Sequence, residues 1–193
     1  AFRVLETERL ISIVRGSRSG ARVHRPRVSG VARYAGFVLQ AEGTTIADIY
    51  EARLAIEPFL VRRLAERRPE GATDRLRAEL AGLTAMIDAQ RHDDFMIAVT
   101  GFHRMLVEES GNRTLLFLTE MLQDVLSRHQ VKFFRLRLIS DAEHRRRVSA
   151  GLRSYHKLIG LIDAGDAAGA EEHWRLHIIN ANASWVPARY RER

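Results

Sequence analysis

Cysteine is absent from this chain of 193 residues. Without thiols the protein cannot form disulfide bonds, bind a metal through thiolates or use a cysteine nucleophile, and we expect a reducing, cytoplasmic environment. Proline is scarce, with 4 residues, and the 13 glycines do not gather into low-complexity segments. Extended disorder is therefore not expected, and the 46% of hydrophobic residues can supply a buried core.

Long hydrophobic runs are also missing. No segment approaches the roughly 18 apolar residues that a helix needs to span a bilayer, so no membrane association is expected. The chain begins Ala1-Phe2-Arg3, with neither an initiator methionine nor the apolar stretch of a secretory signal. We expect that it begins inside an element and that a further segment lies upstream.

The net charge of +7 is unevenly distributed. Residues 1–28 hold seven arginines and two glutamates and so carry +5, which leaves +2 for the rest of the chain. A short basic block on a near-neutral body indicates that one end of the molecule meets a polyanion. A solvated basic tail is the alternative, and charge alone does not separate the two.

The one convincing β pattern lies in the same basic block. Residues 1–9 carry the apolar spacing of a helix end, and a β-branched run follows at 11–14. A turn rich in Gly and Ser occupies 15–20, after which apolar and polar residues alternate over 21–24. Two short strands around such a turn predict a β-hairpin.

Everything after residue 28 has helical periodicity. The predicted helices are 28–41, 46–68, 73–91, 93–110, 113–135, 141–164 and 166–186. Thr45 with Asp48 predicts a capping box, Asp93 and Asp166 are predicted N-caps, and Pro58 predicts a kink or a break near Glu57. Short loops between six or seven amphipathic helices predict an all-α antiparallel bundle preceded by a short β-hairpin.

Several motifs in this order are similar to those of one regulator family. Residues 5–11 (LETERLI) resemble the end of a GntR-type recognition helix, and 15–23 (RGSRSGARV) resemble the wing that follows it. The helical part resembles the FCD domain of the FadR subfamily. Its motifs are residues 50–58 (YEARLAIEP), 101–106 (GFHRML) with 110–112 (SGN), and 164–170 (AGDAAGA) leading to 173–177 (HWRLH).

The resemblance implies a ligand-responsive transcription regulator. It divides the chain into a C-terminal remnant of a winged helix-turn-helix domain (1–28), a connecting helix and linker (29–45), and an FCD-like effector-binding and dimerisation domain (46–190). In that family the bundle binds a small effector, usually an organic acid, most members form homodimers, and effector binding changes the affinity for operator DNA. The resemblance leaves the effector itself open.

The resemblance also raises the question of a metal, because many FCD domains hold a divalent ion with an aspartate and three histidines. Here His103 and His177 match, but Val99 stands at the aspartate position and Tyr155 at a histidine position. His103, His173 and His177 could instead form a three-histidine site for zinc or nickel. The alternative is that His173 lies at the rim while His103 and His177 are hydrogen-bonded residues of the effector pocket.

Without a metal, an acidic effector needs another cationic partner, and Arg53 is the best candidate. A guanidinium can bind a carboxylate through two parallel hydrogen bonds, although Arg53 could equally form a buried ion pair with Glu51 or Glu57. Tyr155 could supply a hydroxyl where the family has an imidazole. Asn180, three residues after His177, is a further candidate donor.

Two other classes of function fit a helical bundle. One is a metalloenzyme using the same three histidines, and the other is a purely structural dimerisation module. Di-iron bundle enzymes need repeated Glu-x-x-His motifs, which this sequence lacks. It also lacks a Gly-rich phosphate loop and a defensible Ser/His/Asp arrangement. We therefore expect a regulator and not an enzyme.

In the hairpin, Arg15, Arg18 and Arg22 are the candidate DNA contacts. They suit phosphate binding, and the tip could reach the minor groove. Such contacts position a protein on DNA without specifying sequence, and a hairpin charged only for solubility is the alternative.

Because most of a helix-turn-helix would lie upstream, residues 1–193 alone are expected to bind operator DNA weakly or not at all. A binding titration against duplex DNA checks this. Nanomolar, sequence-specific binding by this chain would contradict it.

Overall fold

The computed structural model describes residues 2–8, 10–13, 20–135 and 141–185. Within them the chain forms eight helices and one two-stranded sheet, which confirms the predicted all-α bundle with a β-hairpin before it. The elements are α1 (Phe2–Thr7), β1 (Ile11–Ile13), β2 (Ala21–Val23), α2 (Val28–Ala41), α3 (Ile46–Arg67), α4 (Ala72–Asp88), α5 (His92–Glu109), α6 (Arg113–Arg135), α7 (Asp141–Asp163) and α8 (Ala167–Trp185). None of the helices in these ranges is long and apolar enough to cross a membrane.

The hairpin pairs β1 with β2 in antiparallel register. The partners are Ile11 with Val23, Ser12 with Arg22, and Ile13 with Ala21. His24, just after β2, lies with its Nε2 2.8 Å from the Ser12 hydroxyl and joins the two strand ends. Arg22 is exposed on β2. The other two candidate DNA contacts, Arg15 and Arg18, lie outside the described residues.

The predicted capping box begins α3. The Thr45 hydroxyl accepts a hydrogen bond from the Asp48 backbone N–H at 3.2 Å, and the Asp48 carboxylate accepts one from the Thr45 backbone N–H at 2.6 Å. The bond from the Thr45 backbone N–H, together with one from the Thr45 hydroxyl to the same carboxylate, lowers the pKa of Asp48. From this cap α3 runs unbroken to Arg67, through Pro58. The prediction was a kink or a break near Glu57, and the break does not occur. The residues after the proline continue the helix, which packs on α5, α6, α7 and α8.

The caps of the later helices follow the prediction in one case and not in another. Asp166 accepts a hydrogen bond from the Gly169 backbone N–H at 2.9 Å and so caps α8 as predicted. A Cβ atom at position 169 would overlap the Asp166 carboxylate, so glycine suits this turn. Asp93, in contrast, lies inside α5, which begins one residue earlier at His92. Its prediction as an N-cap is wrong.

The core has α3 at its centre. This helix packs most extensively on α8 and also contacts α5, α6 and α7, while α4 closes the bundle against α5 and α7. The largest fully buried side chains come from several of these helices and include Leu64, Leu80, Phe102, Ile162 and Trp174. The polar residues described below therefore lie within a packed apolar interior.

A second, smaller cluster holds α2 and α6 against α3. Ile49, Tyr50 and Leu126 are buried together, and Leu39 of α2 packs against them. The linking helix α2 is thereby attached to the bundle by apolar contacts as well as by the chain.

The Asp166 cap is expected to stabilise α8. Asp166→Ala removes the acceptor for the Gly169 N–H and should lower the free energy of unfolding by about 1 kcal/mol. Asp166→Asn keeps an acceptor and is the control, with stability close to wild type. Urea unfolding measures both, and an equal loss in the two variants would contradict a capping role.

Candidate functional site

A charged pair lies inside the bundle on α3. Arg53 and Glu57 are one helical turn apart, and their Nε and Oε1 atoms are 2.5 Å apart. Their side chains are only 6% and 2% exposed. Glu51 is exposed on the opposite side of the helix, so the structure selects Glu57 as the partner of Arg53 in the predicted ion-pair alternative.

The Glu57 carboxylate contacts polar groups from three helices. Arg53 Nε–H bonds one oxygen, and the other accepts from Trp174 Nε1–H at 3.1 Å and lies 3.1 Å from His103 Nδ1. Burial alone would raise the pKa of Glu57, but the charge of Arg53 and the contact with His103 outweigh it and lower this pKa. Burial alone would lower the pKa of Arg53, but the charge of Glu57 and its hydrogen bond outweigh burial and raise this pKa. Both groups therefore remain ionised.

His103 connects this pair to Tyr155. Its Nδ1 lies 2.9 Å from Arg53 Nη2, and its Nε2 lies 3.2 Å from the Tyr155 hydroxyl. Either Nδ1–H donates to Glu57 while Nε2 accepts from Tyr155, or Nδ1 accepts from Arg53 while Nε2–H donates to Tyr155. Burial lowers the pKa of His103, although Glu57 partly offsets it. Burial also raises the pKa of Tyr155, so the hydroxyl keeps its proton.

Aromatic rings enclose the polar cluster. Phe102 stacks on Tyr155 with centroids 4.2 Å apart, and Trp174 stacks on His177 at 4.5 Å. The rings of His103 and His177 are 6.0 Å apart. Burial is the main cause, and the neighbouring His103 the second, that lowers the pKa of His177 to about 3. At neutral pH the imidazoles are thus uncharged, and Arg53 and Glu57 carry the charges of the cluster.

The structure brings four of the five predicted effector residues together. Arg53, His103, Tyr155 and His177 converge from α3, α5, α7 and α8. Asn180, the fifth, is exposed near the end of α8 and stays a prediction.

Two members of the cluster were not predicted as site residues. Glu57 had been considered only as an ion-pair partner of Arg53, and Trp174 had been noted only as part of a motif. Their spacing was the available signal, since Glu57 follows Arg53 by four residues and Trp174 precedes His177 by three. Both spacings put side chains on one face of a helix.

The residues present do not fit the metal that the family resemblance implied. Among the described residues, no group of three or more His, Asp or Glu side chains is arranged to hold a metal ion. His173 Nε2 lies 2.9 Å from the Ser154 carbonyl, which can only accept, so that nitrogen carries a proton and is not a ligand. Val99 packs against the apolar core. A metal on His103 would also face the Arg53 cation. The predicted three-histidine set is therefore not assembled in this structure.

Comparison with known proteins agrees with this fold. The model of the FCD domain family matches residues 48–180, more than half of the chain. This chain belongs to the FCD domain family. The family resemblance predicted from the motifs is thus confirmed. No curated protein matches the sequence.

Two solved structures share the fold of this FCD protein. Streptococcus agalactiae GntR has 20% sequence identity and a TM-score of 0.71, and the match covers 94% of this chain and 78% of that one. E. coli McbR/YncC has 15% identity and a TM-score of 0.61, covering 94% of this chain and 79% of that one. At these identities the likeness shows that the GntR-type architecture is shared, and residue roles have to come from this chain.

The depressed pKa of His177 predicts a pH dependence of stability. The unfolded chain binds a proton at His177 below about pH 6.5, whereas the folded protein binds it only near pH 3. Stability should therefore fall as the pH decreases from 6.5 towards 3, and His177→Asn should flatten that slope by at most about 1.4 kcal/mol per pH unit.

Urea unfolding at several pH values between 7 and 4 measures this slope. His156→Asn, on the exposed face of α7, is the matched control and should keep the wild-type slope. Equal slopes in wild type and His177→Asn would show that His177 does not resist protonation in the folded state.

Proposed function

We propose that this FCD protein is a ligand-responsive transcription regulator whose helical domain binds a small organic acid at the Arg53 cluster. The observation that carries the proposal is a permanently charged guanidinium buried where four helices meet. A buried ion pair commonly stabilises a fold no more than apolar packing of the same volume would. Its presence in an otherwise apolar core supports a role in binding.

The chemistry of the cluster suits a carboxylate. Arg53 donates to Glu57 through Nε, which holds the plane of the guanidinium, and its Nη2 lies 2.9 Å from His103 Nδ1. The other N–H groups of the two Nη atoms are the proposed donors for an acid. Tyr155 can add a hydroxyl, and the neutral His103 and His177 can donate or accept. We propose binding and not catalysis, because none of these groups is set up as an activated nucleophile.

The proposed route from effector to DNA runs through α3 and α2. Arg53 lies one turn after Tyr50, whose buried cluster holds α6 and α2. α2 leads directly back to the hairpin, where the exposed Arg22 is a proposed phosphate contact with Arg15 and Arg18. We propose residues 1–28 as the DNA-binding part, 29–45 as the connection and 46–190 as the effector-binding and dimerisation domain.

We also propose that the protein acts as a homodimer, as the resemblance implies. The exposed side of α2 offers an apolar surface that a second copy could cover. Its residues are Val31, Tyr34, Phe37 and Val38. Operator DNA and a carboxylic acid are the other proposed partners.

A thermal-shift screen over small carboxylic acids and sugar acids tests the effector proposal. An acid at a hundred times its Kd should stabilise the wild type by about 2.7 kcal/mol. Arg53→Ala should abolish this shift. It should also cost about 3–5 kcal/mol of stability, because Glu57 is left charged and unpaired.

A paired substitution separates binding from folding. Arg53→Met with Glu57→Gln removes both charges together, and the acid-induced shift should be lost in a folded protein. Arg62→Met with Glu66→Gln changes an exposed pair of the same spacing on the same helix and should keep the shift. If the Arg53/Glu57 variant responds to the acid like wild type, Arg53 is not the carboxylate partner.

A further inference from the structure

The outer face of α7 is positively charged along most of its length. Residues 144–162 contain four arginines, one lysine and two histidines, and no aspartate or glutamate. Arg146, Arg153 and Lys157 follow one another by seven and four residues, a spacing that puts them on one side of a helix. All three are exposed, whereas Tyr155 and Ile162 are buried on the inner side of the same helix. These three cations form the basic stripe of α7.

Ion pairing within α7 does not account for the basic stripe. Several exposed arginines on α3, α4 and α5 form ion pairs with carboxylates, as Arg62 does with Glu66. In α7, no carboxylate stands three or four residues from Arg153 or Lys157. These two cations are themselves four residues apart, and like charges at that spacing destabilise a helix. The stripe is therefore a cost to its own helix, and it indicates an anionic partner.

The surface along the basic stripe is open and polar. Ser149, Ala150 and Gly160 lie along it and are exposed. A Cβ atom at position 160 would meet no neighbouring atom within 4 Å, so a partner can approach the backbone of α7 closely there. Among residues 145–163, no large hydrophobic side chain is exposed. This face thus offers cations and small polar groups without apolar anchors.

The lack of apolar side chains selects the kind of partner. Protein interfaces depend on aromatic and aliphatic anchors, and a helix that lies on a membrane needs an apolar face. Single-stranded nucleic acid needs aromatic rings on which its bases stack. A duplex needs none of these, because its phosphates are bound by arginine, lysine, serine and backbone N–H groups.

The length of the basic stripe suits a duplex. At about 1.5 Å per residue, roughly 17 Å of helix separate Arg146 from Lys157. One strand of B-DNA presents a phosphate about every 3.4 Å along its axis, so about five phosphates pass over this length. Each of the three cations therefore has a phosphate within reach, and the Ser149 hydroxyl can donate to another.

We infer that the basic stripe of α7 binds the phosphate backbone of duplex DNA without regard to sequence. Helix α7 packs on α3, α4 and α8, whereas α2, which leads back to the hairpin, packs on α6. The stripe therefore provides a DNA contact on a different side of the bundle from α2. The inference goes beyond the proposed function, since neither Arg53 nor the hairpin takes part in this contact, and it stands whether or not an acid binds.

Fluorescence anisotropy with a labelled duplex of arbitrary sequence tests the inference. The whole chain should bind with a Kd on the order of 10⁻⁴ to 10⁻⁶ M near physiological salt, the usual range of sequence-independent contacts. The triple variant Arg146→Gln, Arg153→Gln and Lys157→Gln removes three phosphate contacts. Between about 50 and 200 mM salt, it should reduce the slope of log K against log salt concentration by about 2.7.

A second triple variant controls for net charge. Arg62→Gln, Arg91→Gln and Arg104→Gln remove three exposed cations that are paired with carboxylates. This variant has the same net charge as the stripe variant and should keep a slope close to that of the wild type. An equal loss of slope in both variants would show that net charge alone sets the binding, and an unchanged slope in the stripe variant would equally overturn the inference.

A pair of glycine substitutions adds charge in place of removing it. Gly160 lies along the stripe, and Gly82 lies on α4, five residues from the Arg77 that pairs with Asp163 of α7. Five residues turn a helix by about 140°, so Gly82 is directed away from α7. Both positions are exposed and have open space for a side chain. Gly160→Glu should weaken DNA binding about two- to fivefold, the range of one surface ion pair, and Gly82→Glu should leave it unchanged. Equal Kd values for the two variants would contradict a contact at the stripe.

Competition experiments separate DNA from other anionic partners. Unlabelled duplex DNA of unrelated sequence should displace the labelled duplex, and poly-L-glutamate of equal charge should do so about tenfold less effectively, because the charges of duplex DNA are more closely spaced. Equal competition by the polypeptide would assign the stripe to an acidic protein. Tighter binding of duplex RNA than of duplex DNA would likewise overturn DNA as the partner.

Discussion

The buried ion pair of Arg53 and Glu57 is the constraint on which the site depends. Two charges removed from water must be hydrogen-bonded on every side, or the fold loses several kcal/mol. The surrounding helices supply those bonds, since His103 reaches the pair from α5 and Trp174 reaches it from α8. Tyr155 of α7 then completes the environment of His103. The positions of four helices are thus linked through one carboxylate and one guanidinium.

The same pair decides the electrostatic character of the interior. The positive charge of the cluster is that of Arg53. His103 and His177 stay neutral because burial lowers the pKa of both imidazoles. Val99 and Tyr155 stand where the family resemblance implied two metal ligands. His173, the third member of the predicted three-histidine site, is hydrogen-bonded to the Ser154 carbonyl instead. An anion that enters this interior meets a guanidinium and hydrogen-bond donors in place of a metal ion. This arrangement supports the proposal that the domain binds an acid through Arg53.

Helix α3 links the polar site to the rest of the molecule. It carries Arg53 and Glu57 on its inner face, and at its beginning Tyr50 packs with α6 and with the α2 helix that leads back to the hairpin. A packed core does not deform continuously, and small changes at a site are passed on as shifts of whole elements. An effector that changes the bonding of Arg53 therefore acts on the helix that also anchors α2.

Local features of the chain were predictable from sequence because their causes lie within a few residues. The periodicity of the helices, the Thr45–Asp48 capping box, the Asp166 cap and the hairpin all follow from side chains and backbone groups close together in the chain. The same local rules predicted a break at Pro58 that does not occur and an N-cap at Asp93, which lies inside α5. Family motifs also located Arg53, His103, Tyr155 and His177, although not their partners.

The partners were decided only by the tertiary structure. Sequence left Glu51 and Glu57 equal as partners of Arg53, and it left His173 free to join a metal site. The packing of α8 on α3 brings Trp174 to Glu57, and the packing of α7 on α8 brings Ser154 to His173. Helix formation depends on neighbours along the chain, whereas a binding site depends on which helix faces meet.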